Sequence, residues 1–498
     1  MLPLLLALTL AQAVPATPPP EEILQIQSVR PLPGKLDSVP VFNSNSPELV
    51  LKEGILLSTF PATGKKVTSA HLDFPLRGQF DIFAHHIAKA DPPENLRSLY
   101  LGIILHNPGS QPVTVNIWQG ASYLSQPDAP FKELPSLIPN DLGTVFAGPG
   151  SRVMSDILRG KRQDIFPSQI VIPPGKSQML LNLPIPVQGL TPPLNGRSTY
   201  LRLRSNGNVY AASLAMFART NTDGSERSPN LAEWQNLLDN GELSTPRDKV
   251  PTPITGNNKP TIYGRVAGVS KGSRWLADIV DTPKSKYLTI PQPGAAFSYG
   301  LSTLHGGTLG TNQIQTAPML VRYPDTAYYA HGNYGIQYSL KLPLYNNTQN
   351  QQTVSVAVQT PLKENQLSKP GLRFFKLPAR QIFFRGTVRL RYQDQGKWQN
   401  KFVHLIQKRG ETGEPLVSLN IKPGNTSLVQ VDFLYPPDAS PPQVLTVSTQ
   451  AKQMIKSLFS SCSSFNPGHP DMATPRFAIR QINKPTCLSQ ILTMFPNH

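Results

Sequence analysis

Proline is the residue that most constrains how this chain can fold. The sequence has 52 prolines in 498 residues, about twice the usual fraction of roughly 5%. Proline ends or kinks a helix because it lacks a backbone N–H and clashes with the preceding turn. Long helices are therefore disfavoured over most of the chain, and short strands joined by turns are favoured.

The rest of the composition indicates a folded protein. Glycine adds 35 residues, so glycine plus proline stays below the roughly 25–30% typical of disordered chains. Hydrophobic residues make up 39% of the chain, but charged residues only 15%, against a usual value of about 25%. A chain of this length exceeds one ordinary core, so two or three domains are expected.

Runs of β-branched and aromatic residues alternate with turn residues along the chain. Residues 99–105 form one such run, residues 107–110 (Asn-Pro-Gly-Ser) form a turn, and residues 113–117 alternate again. Residues 107–110 are predicted to form a turn because proline fixes φ near the value that a turn needs and glycine accepts positive φ. A second unit of this kind, led by aromatic residues, spans residues 325–358. Both units predict antiparallel hairpins.

Three short motifs recur in the same order in the two halves of the chain. Phe83-Ala84-His85-His86 resembles Tyr329-Ala330-His331-Gly332, Asn107-Pro108 resembles Asn346-Asn347, and residues 172–177 resemble residues 421–426. A single motif of this kind can occur in any strand-turn-strand unit, so the evidence for a repeat is the shared order of all three. It suggests an internal duplication.

The predicted fold class is therefore mainly β, with two β-sandwich-like domains, a short helical linker and a small C-terminal tail. The predicted segments are a signal peptide (1–13), a Pro-rich leader (14–22), domain 1 (23–220), a helical and Pro-rich linker (221–260), domain 2 (261–450) and a tail (451–498). Short helices are predicted at 152–162, 229–240 and 451–459 from their turn and cap residues.

The N-terminus has the pattern of a secretory signal. Residues 2–10 form a short apolar run, and Ala11-Gln12-Ala13 is a small-x-small cleavage site. The run is too short to span a membrane, and no later stretch reaches the roughly 18 apolar residues that a membrane helix needs. We expect an exported, extracytoplasmic protein (periplasm, cell surface or secreted) with no transmembrane segment.

Both cysteines, Cys462 and Cys487, lie in the last 40 residues. In an exported protein an even pair predicts one disulfide, and two unrelated buried thiols are the alternative. No Cys-x-x-Cys motif or nearby histidine pair accompanies them, so no metal is expected.

The chain is strongly basic, with a net charge of +17 and a pI of about 9.8. A positive surface favours acidic partners such as anionic polysaccharide or lipid headgroups. Lys and Arg are scattered at strand spacing and form no short continuous run, which argues against nucleic acid. The alternative is a merely soluble surface.

A dense group of cations in the second half is the best candidate for a binding face. Arg389 and Arg391 are two residues apart, so they share one face of a strand. The predicted face for an anionic ligand consists of Lys376, Arg385, Arg389, Arg391, Lys397, Trp398 and Lys401. The alternative is a solvated strand face that resists edge-to-edge aggregation.

Other candidate sites are weaker. His85 and His331 are a candidate ligand site, but a hydrogen-bonded structural role is favoured for both. The glycine-rich residues 305–311 lack the Lys-Ser/Thr ending of a phosphate loop, so no cofactor is expected.

A binding or structural protein of the bacterial cell envelope, possessing no enzymatic activity, is the favoured function. A secreted carbohydrate-active hydrolase is the alternative, because the two carboxylates of a glycosidase are close in space and not in sequence.

Two stretches, residues 28–61 and 307–335, resemble a family of exported cyanobacterial proteins carrying a domain of unknown function. The second stretch is long and includes Tyr-Tyr-Ala-His-Gly-Asn-Tyr-Gly. The resemblance covers most of the mature chain. It implies a cyanobacterial and extracytoplasmic origin. It implies no activity, cofactor or catalytic residue.

Overall fold

The computed structural model describes residues 19–254, 261–394 and 396–451. The predicted signal peptide, the Cys462–Cys487 disulfide and nearly all of the predicted tail, including its helix, lie outside these residues. Strands make up 47% of the described residues and helices 5%. The mainly β prediction is confirmed.

The described residues form 29 strands, which are numbered here in chain order. The strands before the predicted linker, and the one described strand inside it (β15), are β1 (Glu22–Gln25), β2 (Ser28–Arg30), β3 (Lys35–Leu36), β4 (Pro40–Ser44), β5 (Leu49–Val50), β6 (Gly54–Ser58), β7 (Leu76–Lys89), β8 (Leu99–His106), β9 (Val113–Leu124), β10 (Leu137–Pro139), β11 (Gln169–Ile172), β12 (Ser177–Ile185), β13 (Leu194–Phe217), β14 (Arg219–Thr220) and β15 (Glu226–Arg227). The strands after it are β16 (Ala267–Lys271), β17 (Arg274–Asp278), β18 (Leu288–Thr289), β19 (Ala296–Leu301), β20 (Ala317–Arg322), β21 (Tyr329–Ala330), β22 (Gln337–Tyr345), β23 (Gln352–Gln359), β24 (Leu372–Phe375), β25 (Ile382–Asp394), β26 (Lys397–Lys408), β27 (Pro415–Ile421), β28 (Thr426–Leu434) and β29 (Gln443–Thr449).

Two α-helices occur in the described residues, α1 (Pro149–Leu158) and α2 (Leu231–Asn240), with one 3₁₀ turn at Thr68–Ala70. Both helices overlap the predicted ones. The side chain of Asn230 accepts a hydrogen bond from the backbone of Glu233, whose carboxylate accepts one from the backbone of Asn230. This reciprocal capping box supplies the missing partners of the first turn of α2.

The two halves share one order of strands. The five-stranded sheet of the second half runs β27-β23-β29-β19-β2, and the twelve-stranded sheet contains β11-β9-β13-β7-β4. In both series the last pair is parallel and the others are antiparallel. This match supports the predicted duplication.

The turns that flank these strands are also matched. Asn107 donates from Nδ2 to the carbonyl of Ile172 at 3.0 Å, and Asn346 donates to the carbonyl of Ile421 at 2.8 Å. The glycines of the two Pro-Gly turns, Gly175 and Gly424, have φ of +63° and +70°, a conformation that favours glycine. A buried asparagine therefore ties the same two turns together in each half.

The histidine motif does not take part in this match. Phe83 to His86 lies within β7, whose counterpart in the second half is β19. Tyr329 and Ala330 instead form the short strand β21, which pairs only with β20 among the described strands. The predicted equivalence of His85 and His331 is therefore wrong, because the two residues occupy different positions in the strand order.

Each half has its own large hydrophobic core, but the halves exchange strands at their margins. The N-terminal strands β1, β2 and β3 pair with β24, β19 and β17 of the second half. In return, β16 and β20 extend the first-half sheet through β4. The predicted linker thus separates most of each core but not these strands.

A third, smaller apolar cluster lies between the two halves. Helix α1 contributes Val153, Met154 and Ile157 to it, the twelve-stranded sheet contributes Phe83, and the eight-stranded sheet contributes Leu434. The eight-stranded sheet, with the central order β26-β25-β28-β22-β17, therefore has the second-half core on one face. Its other face meets α1 at one end of the strands.

Candidate ligand-binding groove

The outer face of the eight-stranded sheet carries polar side chains because side chains alternate along each strand. Leu390 on β25 and Val431 on β28 point into the second-half core. The alternate positions place Arg389 and Arg391 of β25, together with Asp432 of β28, on the opposite face.

The strand register aligns these side chains in rows across the sheet. In one row Arg391 lies between Asn400 of β26 and Gln430 of β28. In the next row Arg389 is the neighbour of Asp432, which is the neighbour of Ser339 on β22. The rows cross five strands, from β26 to β17. Since neighbouring strands lie about 4.8 Å apart, the distance from the first strand to the fifth is about 19 Å.

Asp432 is the electrostatic centre of this face. It is only 3% exposed, and its Oδ2 lies 3.2 Å from Nη2 of Arg389 and 3.3 Å from Nη2 of Arg391. A buried carboxylate needs such partners, because desolvation without them is costly. One carboxylate between two guanidinium groups leaves an excess positive charge at the surface.

Two neighbouring cavities lie along these rows. One has a volume of about 310 Å³ and is lined by Trp398, Asn400 and Arg391 among others. The other has a volume of about 220 Å³ and is lined by Arg389, Arg391, Asp432 and Arg274 among others. Arg391 and Gln430 line both cavities. We call the two cavities together the sheet groove.

Three of the seven residues predicted for the anionic-ligand face meet in the sheet groove: Arg389, Arg391 and Trp398. Lys397 and Lys401 alternate with Trp398 on β26, so they lie on the other face of the sheet. Nζ of Lys401 lies 5.7 Å from the ring centre of Tyr392 there.

The remaining two predicted residues lie elsewhere. Arg385 is six residues from Arg391 along β25 and pairs with Asp438 at 2.8 Å. Lys376 follows β24 and pairs with Glu21 at 3.0 Å. The structure therefore brings together part of the predicted face.

Several groove residues were missed from the sequence, namely Arg274, Lys341, Asn400, Gln430 and Asp432. Each lies on a different strand from Arg389 and Arg391, and only the strand register brings them together. Alternation within β28 offered one usable signal, because Gln430 and Asp432 are the polar positions between Val429, Val431 and Phe433.

The two candidate ligand histidines lie in separate surroundings. Nδ1 of His85 is 2.8 Å from Oγ of Ser198, and its Nε2 is 3.6 Å from Glu48. The neighbouring His86 is fully buried and bonded to Ser44 and to the carbonyl of Pro47. Burial lowers the pKa of His86 to about 4, so this ring is neutral at pH 7.

His331 lies in an aromatic cluster. Its ring centre is 4.7 Å from that of Tyr263 and 5.7 Å from that of Tyr329. Lys363 donates a hydrogen bond of 2.7 Å to the hydroxyl of Tyr263. Burial first, and then the charges of His305 and Lys363, lower the pKa of His331 to about 3.

One catalytic motif that sequence reasoning missed is the Gly-x-Ser-x-Gly run from Gly268 to Gly272. In hydrolases its serine occupies a sharp strand-to-helix turn. Ser270 instead lies inside β16, between β4 and β20, and is only 2% exposed. The motif therefore has the wrong structural context for a nucleophile.

The described residues contain no group of three or more His, Cys, Asp or Glu side chains that could hold a metal ion. No helix in the same part of the chain combines the length and the apolar character needed to cross a membrane.

Comparison with known proteins places the chain in a family. Among curated proteins there is no match. A family model described as "Protein of unknown function (DUF3370)" matches residues 27–449. This match spans nearly all of the described fold, from β2 to the end of β29. The chain therefore belongs to the DUF3370 family of proteins of unknown function.

Proposed function

We propose that this protein is an exported binding protein of the bacterial cell envelope, without enzymatic activity, and that its sheet groove binds an anionic polysaccharide. The single observation that carries the proposal is the position of Arg391. It lies between two neighbouring cavities, with an exposed tryptophan at one end and a second arginine beside it.

The charge of the groove supports an anionic ligand. The cavity of about 220 Å³ is called here the inner cavity. It is lined by four cationic side chains and one carboxylate, that of Asp432. A guanidinium group presents a planar fork of donors that matches carboxylate and sulfate oxygens. The arginines in excess over Asp432 are therefore the natural partners of an acidic sugar.

The neutral side chains of the groove suit the rest of a sugar. Asn400 and Gln430 offer amide donors and acceptors for hydroxyl groups. Trp398 is 55% exposed and provides a flat apolar surface with one N–H donor. Because the groove crosses several strands, it can hold an extended chain.

The groove favours binding over hydrolysis. A glycosidase needs two carboxyl groups about 5–10 Å apart on either side of the bond that is cleaved. Asp432 is the only carboxylate among the residues that line the two cavities, and two arginines already hold it.

Export rests on the sequence of residues 1–13, which has the apolar run and the cleavage site of a secretory signal. N-terminal sequencing of the protein from its native host tests this part. A mature chain that begins at Val14 is expected, and a chain that retains Met1 would remove the export proposal.

Binding is tested by retention of the purified protein on immobilised acidic polysaccharide at two salt concentrations. We expect Arg391→Gln to weaken binding about tenfold or more, since a hydrogen bond to a charged group contributes about 1.5–3 kcal/mol. Arg391 suits this test because Asp432 keeps its contact with Arg389 in the variant. Trp398→Ala should also weaken binding.

The matched control is Lys176→Gln, which removes the same charge at an exposed turn of the other half. It should bind like the wild type. Wild-type affinity in Arg391→Gln, or weakening by the control as large as by Arg391→Gln, would overturn the groove as the binding site. Release of new reducing ends from the polysaccharide would instead support a hydrolase.

A further inference from the structure

At the inner end of the sheet groove lies an arginine whose side chain has no hydrogen-bond acceptor among the described residues. Arg274 begins β17 and lines the cavity of about 220 Å³ together with Gln337, its neighbour on β22. Among the described residues no carboxylate lies within ion-pair distance of Arg274, and its Nε is buried without a hydrogen-bond partner. A half-buried guanidinium of this kind is costly unless something accepts its hydrogen bonds.

A second arginine lies behind Gln337, on the side away from the cavity. Arg202 of β13 is 3% exposed, and its Nη1 donates to the side chain of Gln337 at 2.9 Å. Its Nε is 3.6 Å from Oδ2 of Asp81, a carboxylate that is fully buried. Nε and Nη2 of Arg202 have no hydrogen-bond acceptor in the described part of the chain.

The buried carboxylate of Asp81 offsets only part of this surplus of donors. Asp81 also accepts a hydrogen bond from the hydroxyl of Tyr200 at 2.9 Å. Burial raises the pKa of Asp81, whereas the charges of Arg202 and Arg274 oppose that rise. The inner end therefore has more cationic donors than acceptors, which suits a ligand group rich in acceptor oxygens.

The size of the inner cavity limits what that group can be. Its volume is below the roughly 300–1,000 Å³ of pockets that enclose drug-sized ligands. Arg391 and Gln430 line both this cavity and the larger one, so the two cavities are neighbours. A charged substituent on one sugar unit could therefore enter the inner cavity while the rest of the chain lies in the larger one.

We propose that Arg274, with Arg389 and Gln337, forms a subsite at the inner end of the groove for one oxyanion, the carboxylate or sulfate group of a sugar. The subsite rests on the proposed function, of which it specifies the ligand class. Arg202 acts behind it as a positioning residue that holds Gln337. An acidic sugar is then recognised through a defined charged group as well as through the general charge of the surface.

The test uses the full-length protein with three small probes, glucuronate, inorganic sulfate and glucose, titrated at constant ionic strength. We expect glucuronate or sulfate to bind, glucose not to bind, and Arg274→Gln to weaken binding at least tenfold. Arg274→Lys should restore part of the affinity, because it restores the charge without the planar fork. The stronger of the two anions identifies the substituent.

Circular dichroism and denaturation of each variant check that it is folded, and Lys176→Gln again controls for net charge. Absence of binding by both anions, or equal binding by wild type and Arg274→Gln, would overturn the subsite. Polysaccharide retention that depends on Arg391 would then leave the proposed function intact. Anion binding through Arg274 without any polysaccharide retention would support the subsite and reject the proposed function.

Discussion

At the scale of single residues, Asn107 and Asn346 hold equivalent turns in the two halves. Both are fully buried, and each side chain donates to two backbone carbonyls and accepts from one backbone N–H. The loss of either side chain therefore removes three hydrogen bonds to the backbone, one of them to the buried carbonyl of Ile172 or Ile421.

We therefore expect Asn346→Ala to lower the free energy of unfolding by about 1–3 kcal/mol, the cost of leaving one buried group unsatisfied. Asn347→Ala is the control, because the side chain of Asn347 is next in the sequence but exposed. Chemical denaturation measures both. Equal stability of the two variants would show that the buried amide does not hold the turn.

The buried histidines make stability depend on pH. His86 has a pKa of about 4 in the fold, lowered by burial from an ordinary 6.5. Below about pH 6.5 the unfolded chain therefore binds a proton that the folded protein does not. The free energy of unfolding should fall as the pH drops from 6.5 towards 4, by up to about 1.4 kcal/mol per pH unit for this one group.

His86→Gln should flatten this pH dependence, since glutamine can bond to Ser44 or Pro47 without titrating. His305→Gln changes an exposed ring and serves as the control. Denaturation curves at pH 7, 6, 5 and 4 give the slopes. An unchanged slope in His86→Gln would mean that other groups cause the pH dependence.

At the scale of elements, the N-terminal segment belongs structurally to the second half. Leu32 is 1% exposed and lies in the second-half core, and the indole of Trp275 donates to the carbonyl of Pro33 at 2.9 Å. A segment that comes first in the chain therefore closes a core built mostly by residues after 266.

Leu32→Ala should cost about 2–5 kcal/mol, the usual range for removing a buried leucine. Ile26→Ala in the same segment should change stability by less than about 0.5 kcal/mol, because Ile26 is 76% exposed. Hydrogen exchange of Leu32→Ala should show faster exchange in β19 and β29 than in β8 and β12. Faster exchange in the first half instead would contradict this assignment.

The sequence predicted the elements of the groove better than their arrangement. Spacing alone correctly placed Arg389 and Arg391 on one face, because alternation is a property of a single strand. The strand exchange could not be predicted, since β1, β2 and β3 are two to four residues long and carry little pattern of their own. Asp432 and Arg274 reach the arginines only through strand pairing, which depends on the whole sheet.

At the scale of the whole molecule, the repeated strand order explains why two of the three motifs were matched correctly. The Asn and Pro-Gly motifs belong to turns that occupy matching places in the strand order of the two halves. The histidine motif was matched on residue type alone, and His85 and His331 share no position in the strand order. The groove lies on the eight-stranded sheet of the second half, beside the region where α1 joins the halves.

The most direct test of the central claim compares two forms of one polymer. Calorimetry would measure the affinity of the protein for an acidic polysaccharide and for the same polysaccharide with its carboxyl groups reduced to alcohols. We expect binding to the acidic form that weakens with added salt and in Arg391→Gln, and little binding to the reduced form. Equal affinity for the two forms would contradict the proposal that the sheet groove binds an anionic polysaccharide.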